Sequence, residues 1–294
     1  MFALLGRAFN FAVKAPRSWA FGILMMVSSV GVVVPVVGSD EAPLFDSAAD
    51  LLSATDAAPG VAIAVVAAIC VLVVVAFLAG EWATAVVVAA SDAASRDGAP
   101  APRASIAAVR RVWRRVVAVD ALLVLPVLGP IATLFAVPAV AAESRIAGVA
   151  LPALRFATSG LYAGWAIVLA LFVWAWRDMA VRHAVLGGES PLEAVRSAAA
   201  DLTTYPIRIA LMALVMWLLS SLASIVVVPV LAAIDALGGT GSLVVTPDLA
   251  WRYAVPLAAV PLAPYALFDA AVWTYVYRAL RLREQAAWEE QRRG

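Results

Sequence analysis

Six stretches of the chain stay apolar for about the length needed to cross a bilayer. Trp19–Val37, Ala57–Gly80, Ala121–Ala142, Phe156–Trp176 and Ile209–Ile234 carry no charged residue, and Tyr253–Tyr277 carries only Asp269. A hydrocarbon core about 30 Å thick is spanned by about 20 apolar residues in a helix. The pattern therefore predicts an all-α polytopic membrane protein with six transmembrane helices in a single integral membrane domain over 1–294. Trp19–Val37 is expected to remain as a span, since no small-x-small cleavage site follows it.

The polar stretches between spans have a pattern of their own. Arg7, Asn10, Lys14 and Arg17 follow one another at helical spacing within Phe2–Pro16, opposite Leu4, Leu5, Phe9 and Phe11. Ser105–Val116 repeats this, with Arg110, Arg111, Arg114 and Arg115 set against Ile106, Val109, Val112 and Trp113. A third stretch opens Ser190-Pro191-Leu192-Glu193, a capping box with proline at the first helical position. Its expected apolar stripe is Leu192, Val195, Ala199 and Leu202. Short helices with one basic and one apolar face lie in the membrane interface. Each odd-numbered span is thus expected to be entered through an interfacial elbow helix.

Charge orients this arrangement. The first inter-span loop holds Asp40, Glu41, Asp46, Asp50 and Asp56 and no basic residue. All but three of the 21 basic residues (Arg145, Arg155 and Arg252) fall on the opposite side, with the elbows and both termini. Positive charge marks the cytoplasmic side, so both termini and the three elbows are expected there. All but one of the basic residues are arginine, a bias that points to a GC-rich bacterial genome and so to the cytoplasmic (inner) membrane.

Composition removes several function classes. Charged residues are 14% and hydrophobic ones 64%, and mean hydropathy is +0.95. Soluble domains carry about 25% charge. With 21 basic and 20 acidic residues the net charge is +1, so no basic face for nucleic acid is present. One cysteine, Cys70, and one histidine, His183, give no metal-ligand spacing. No cofactor and no catalytic residue is expected: G-x-S-x-G, H-E-x-x-H and Walker A patterns do not occur. His183 reads as an interfacial polar residue, and Gly238-Gly239-Thr240-Gly241 as a flexible turn.

A threefold repeat is suggested at residue level. Pro35, Pro138 and Pro229 follow Arg7, Arg110 and Arg196 at similar distances, and Asp40, Glu143 and Asp235 follow those prolines. Val32–Val36 and Val226–Val230 are identical. The candidate repeats are 1–95, 96–188 and 189–294, giving a pseudo-threefold bundle. The run from Arg182 to Ser197, with Gly187-Gly188-Glu189-Ser190-Pro191, resembles the elbow of a broad group of bacterial six-helix membrane families. These are related to the membrane domain of glycerophosphoryl diester phosphodiesterases. Val272–Arg281 is similar to their last helix. The resemblance implies fold and membrane location. It does not imply the catalytic activity, because no phosphodiesterase domain is present in these residues.

The candidate chemistry is a layer of acids at the inner ends of the spans: Glu81, Asp120, Asp178 beside Arg177, and Asp269. Ionisable groups at membrane depth are functional candidates by default. They form either a polar vestibule for a cation, a proton or a headgroup, or ion pairs that lock elbows to spans. Pairing is the stronger reading because many arginines lie at that level, and Arg7, Arg110, Arg177 and Arg196 are the expected partners. Prolines Pro126, Pro130, Pro256, Pro261 and Pro264 are expected to kink spans. The elbow cations Arg7, Lys14, Arg110, Arg111, Arg114, Arg115 and Arg196 are candidate contacts for anionic lipid. The functional expectation is a non-enzymatic scaffold or accessory subunit that organises membrane lipid or a protein partner in a larger membrane complex. The alternative is a transporter or lipid-handling protein using the acidic vestibule. Topology is directly testable. A membrane-impermeant thiol reagent should label Ser47→Cys and spare Ser95→Cys in intact cells, and the reverse result would invert the orientation.

Overall fold

An apolar segment that cannot offer its amides to water satisfies them within its own helix, and every described part of the six apolar stretches is helical. The computed structural model describes residues 2–33, 59–97, 102–123, 151–225 and 247–293. The remainder of Ala121–Ala142 after 123, with Pro126 and Pro130, lies outside the described residues. So do the acidic loop 38–56, the prolines and acids of the repeat signature, and Gly238–Gly241. The helices are α1 (Phe2–Lys14), α2 (Trp19–Val33), α3 (Pro59–Asp97), α4 (Pro102–Val109), α5 (Leu151–Arg182), α6 (Pro191–Thr204), α7 (Pro206–Ile225) and α8 (Pro247–Arg293). Residues 113–123 are also helical. No strand occurs among the described residues.

The chain divides into two units, Met1–Trp113 with Leu219–Gly294, and Arg114–Leu218. In the first, α2 packs on α3 and α8, α1 lies along α8, and α4 meets α3. Its interior is built largely from small side chains: Ala83, Val86, Val88 and Ala90 of α3 and Ala263, Ala270 and Ala271 of α8 are buried, together with the larger Leu267 and Trp273. Phe21 and Trp82 meet with ring centroids 5.6 Å apart. Small residues let apolar helices approach closely where no water drives them together. The tightest point is Gly22, where an added Cβ would stand 2.4 Å from the carbonyl oxygen of Ala263.

In the second unit α5 ends in a π-helical turn, His183–Gly187, and the chain doubles back so that α6 packs on α5. Gly188 takes φ +70°, the left-handed conformation that glycine adopts without a side-chain penalty. The capping box forms, with Glu193 Oε2 accepting from the Ser190 amide at 3.1 Å and from its hydroxyl at 2.6 Å. The face of α6 that is buried differs from the expected stripe. Ala194, Ala198, Asp201 and Leu202 are buried, whereas Leu192 is exposed. Periodicity placed the stripe by apolarity alone, and the structure turns the helix to bring Asp201 inward.

The elbows end in sharp breaks at 15–18, 110–112 and 205, at nearly equal spacing along the chain. Pro16 and Pro206 mark the first and third. At the first, Trp19 Nε1 reaches back to the Ala12 carbonyl at 2.9 Å. The second has no proline, so Ser105–Val116, which reads as one helix, is instead α4, a turn through Arg110–Val112, and the helical stretch 113–123.

Among the described residues two helical segments, Val74–Arg96 and Pro206–Ala223, are long and apolar enough to cross a membrane. On α7, Ile207, Leu211, Leu214, Leu218 and Leu222 form an exposed stripe, while Ile209, Met212, Ala213 and Met216 are buried. Both faces of this helix are therefore apolar. A soluble monomer rarely leaves such a contiguous apolar surface in water. The close approach at Gly22 gives a prediction. Gly22→Ala sets a methyl against backbone that no rotamer change can clear, and should destabilise the detergent-solubilised protein by about 1–3 kcal/mol in thermal unfolding. Gly6→Ala, where nothing lies within 4 Å, should not.

Candidate functional site

A carboxylate buried among apolar helices is costly unless a cation or several donors meet it. Asp120 is 6% exposed. Arg177 grips it with both prongs of its guanidinium, Nε to Oδ1 at 2.7 Å and Nη2 to Oδ2 at 3.1 Å. This pair ties the stretch 113–123 to α5. Arg177 is next to Asp178 in sequence, but neighbours on a helix point about 100° apart and do not face each other. Asp178 instead pairs one turn on with Arg182, which is fully buried and also donates to the Asp178 carbonyl at 2.7 Å.

Glu81 and Asp269 belong to the other unit, on α3 and α8. Glu81 is buried and Asp269 half-buried. The dominant ion pair of that unit involves an acid that the sequence reading did not single out. Asp92 of α3 receives Arg278 of α8 through Nε and Nη2, the latter 2.8 Å from Oδ2, and Arg96 at 2.8 Å. Ser91, one residue earlier, donates to Thr274 Oγ1 at 3.0 Å. The signal for Asp92 was its position about three turns beyond Glu81, on the same face of the helix.

The elbow cations take other partners than expected. Arg7 stands over the Tyr275 ring, 5.8 Å from its centroid. Lys14, Arg110, Arg111, Arg114 and Arg196 are exposed. Arg115 is half-buried and donates to the carbonyls of Gly188 and Glu189, the latter at 3.3 Å. Among the described residues no ion pair joins Arg7, Arg110 or Arg196 to Glu81, Asp178 or Asp269. Asp92, Asp120 and Asp178 pair with arginines of the long helices α5 and α8.

His183, read from sequence as an interfacial polar residue, is 2% exposed and lies between two carboxylates. Its Nδ1 is 2.7 Å from Glu189 Oε1 and its Nε2 2.9 Å from Asp201 Oδ2. An ionised carboxylate only accepts. Both contacts need a proton, so the three groups share two protons between them. The cluster clamps α6 onto the end of α5, supported by Trp176 Nε1 donating to the Val195 carbonyl at 2.9 Å. Nothing in the local sequence reveals it, since Asp201 returns to His183 only through the reversal at Gly188. Nearby, the hydroxyl and then the amide of Ser190 hold the Glu193 carboxyl below its ordinary value, so it remains an anion at the first turn of α6 well into the acid range.

No cluster of three His, Cys, Asp or Glu side chains suited to a metal occurs among the described residues. Comparison with protein-family models, curated proteins and solved structures gives no match. What this geometry can do chemically is hold protons and neutralise charge within the bundle. The clamp is testable by a double-mutant cycle. His183→Ala should cost about 3 kcal/mol of unfolding free energy. The double variant His183→Ala/Asp201→Asn should cost clearly less than the sum of the single ones. Strict additivity would mean that the two residues do not act together.

Proposed function

We propose that this chain is a non-enzymatic integral membrane protein of six spans, a scaffold or accessory subunit that organises lipid or a protein partner. It resides in the bacterial cytoplasmic membrane with both termini and the elbows on the cytoplasmic side. The observation that carries this reading is the closure of the acid layer by arginine. Asp92, Asp120 and Asp178 each meet a guanidinium from a long helix. A carboxylate so paired stabilises helix packing and offers little to a passing cation.

Further features support membrane residence and the repeat. The exposed apolar stripe of α7 suits lipid, and the elbow breaks recur at even spacing. Helices α3 and α8, of 39 and 47 residues, extend about 58 and 70 Å and so project beyond a bilayer core about 30 Å thick. The Asp92–Arg278 pair then sits toward the projecting ends of α3 and α8, where arginine reaches both lipid headgroups and water. The likeness of Arg182–Ser197 to the elbow of the phosphodiesterase-associated membrane domains agrees with this placement and adds no activity.

The competing transporter reading makes a different prediction for the same residues. On the scaffold reading, Asp120→Asn lowers stability by about 2 kcal/mol, discounted for the partial exposure of Arg177. Vesicles containing the unmodified protein then pass protons and monovalent cations no faster than empty ones. A flux that Asp120→Asn or Asp269→Asn abolishes without loss of thermal stability would establish the transporter instead.

A further inference from the structure

The cytoplasmic end of the first unit holds a basic cleft beside the Asp92–Arg278 pair, sharing Arg278 and Arg96 with it. It lies between α1, the last turns of α3 and the distal part of α8. A cavity of about 280 Å³ is lined by Arg7, Ser95, Arg96, Tyr275, Arg278 and Arg281. A second lobe of about 340 Å³ continues from Arg7, Ser95 and Tyr275 to Asn10 and Lys14. Five cations thus line two adjoining cavities that share Arg7, Ser95 and Tyr275. Carboxylates bonded to them include Asp92, behind Arg278 and Arg96, and Glu284, beside Arg281. Positive charge remains in excess. The hydroxyl of Ser95 donates to the Asp92 carbonyl at 2.7 Å, while Tyr275 and Asn10 carry neutral donors.

The cations are held in place before any ligand arrives. Asp92, whose side chain is 9% exposed, fixes Arg278 through Nε and Nη2 and leaves Nη1 for a ligand. Arg7 is positioned over the Tyr275 ring. Arginine forks arranged with hydroxyl donors match the tetrahedral, acceptor-only oxygens of a phosphate group.

A second observation says where that phosphate comes from. Helix α1 buries Ala8, Phe11 and Ala12 against its own unit. Yet Phe2, Phe9 and Val13 are 82%, 62% and 51% exposed. These three share one face at helical spacing. A helix with one apolar face on the bundle and another turned outward, and with cations between them, fits the boundary between headgroups and acyl chains. Free phosphate would need the cations and would have no use for the phenylalanines.

We propose that this cleft binds the phosphate of an anionic membrane phospholipid, with Phe2, Phe9 and Val13 set among its acyl chains. It rests on the membrane reading above and adds a defined lipid site to it. Arg7 and Lys14 supply long-range attraction, Arg278 the directed bonds, and Tyr275 and Asn10 neutral donors. The cleft spans α1, α3 and α8, so an occupied site joins the N-terminal elbow to both of those helices.

The test uses the full chain in phosphatidylcholine nanodiscs, with and without one-tenth phosphatidylglycerol. Thermal unfolding and native mass spectrometry of retained lipid are the readouts. Phosphatidylglycerol should raise the unfolding temperature and be retained. Arg7→Gln/Lys14→Gln, which leaves the Asp92 pair intact, should weaken retention about tenfold or more, since each interfacial cation contributes about a factor of five to anionic lipid binding. Ser95→Glu, at an exposed position, should do the same by placing an anion in the cleft. Arg110→Gln/Arg111→Gln removes equal charge from another elbow and should have little effect. Equal loss in both paired variants would overturn the site in favour of diffuse interfacial attraction, and no phosphatidylglycerol effect at all would also overturn it. Inorganic phosphate or glycerol 3-phosphate stabilising the protein as well as the lipid does would overturn the lipid assignment. Release of the unmodified protein from native membranes by alkaline carbonate is a separate outcome that would overturn the membrane reading itself.

Discussion

A charge in an apolar bundle must be met by an opposite charge from another part of the chain, and much of this structure follows from that need. Asp92 is nearly buried at the end of α3, so Arg278 of α8 must lie beside it. That pairing sets the register of two helices already drawn together by small side chains. Asp120 makes the same demand on Arg177, while Asp178 is met one turn along its own helix by Arg182. Small-residue packing by itself allows helices to slide, because alanine and valine surfaces look alike from one turn to the next. A bidentate ion pair fits at one register only. Loss of one member leaves a buried charge, which is much less favourable than never having had the pair.

The same rule explains why the elbow arginines behave differently. Arg110, Arg111, Arg114 and Arg196 lie where water can reach them and solvate their charge. Arg7 is the exception, since it is held over an aromatic ring at the mouth of a cleft lined by other arginines. Arg278 and Arg96 serve both the Asp92 pair and the lining of that cleft, to which Arg7 and Lys14 also belong.

The elbows convert this electrostatic scheme into a fold. Each stops abruptly, at Pro16, at the turn through Arg110–Val112 and before Pro206. Where the joint is seen in detail, specific donors hold it. Trp19 reaches back to Ala12 at the first elbow, and His183, Trp176 and Arg115 fasten the approach to the third. The buried face of α6 is chosen by Asp201 and not by its larger apolar residues. One buried hydrogen bond to His183 outweighs the placement of Leu192, because leaving Asp201 unsatisfied would cost more than leaving a leucine at an interface.

The sequence by itself determined the helical class, the apolar stretches, the capping box at Ser190 and the end of the first elbow at Pro16. These depend on spacing of 3.6 residues, on run length and on proline chemistry, all of which are local. It also singled out Asp120, Asp178 and Arg177, but neither Arg182 nor the elbow end at Pro206. Only the tertiary structure decided who meets whom. Arg177 turns from its neighbour Asp178 to Asp120, Asp92 takes Arg278, and His183 receives Asp201 across a chain reversal. The break at Arg110–Val112 was equally hidden, since nothing there forbids helix. Pairing across helices depends on depth, register and the return path of the chain. Those are set by the packed bundle as a whole, and no local window of the sequence contains them.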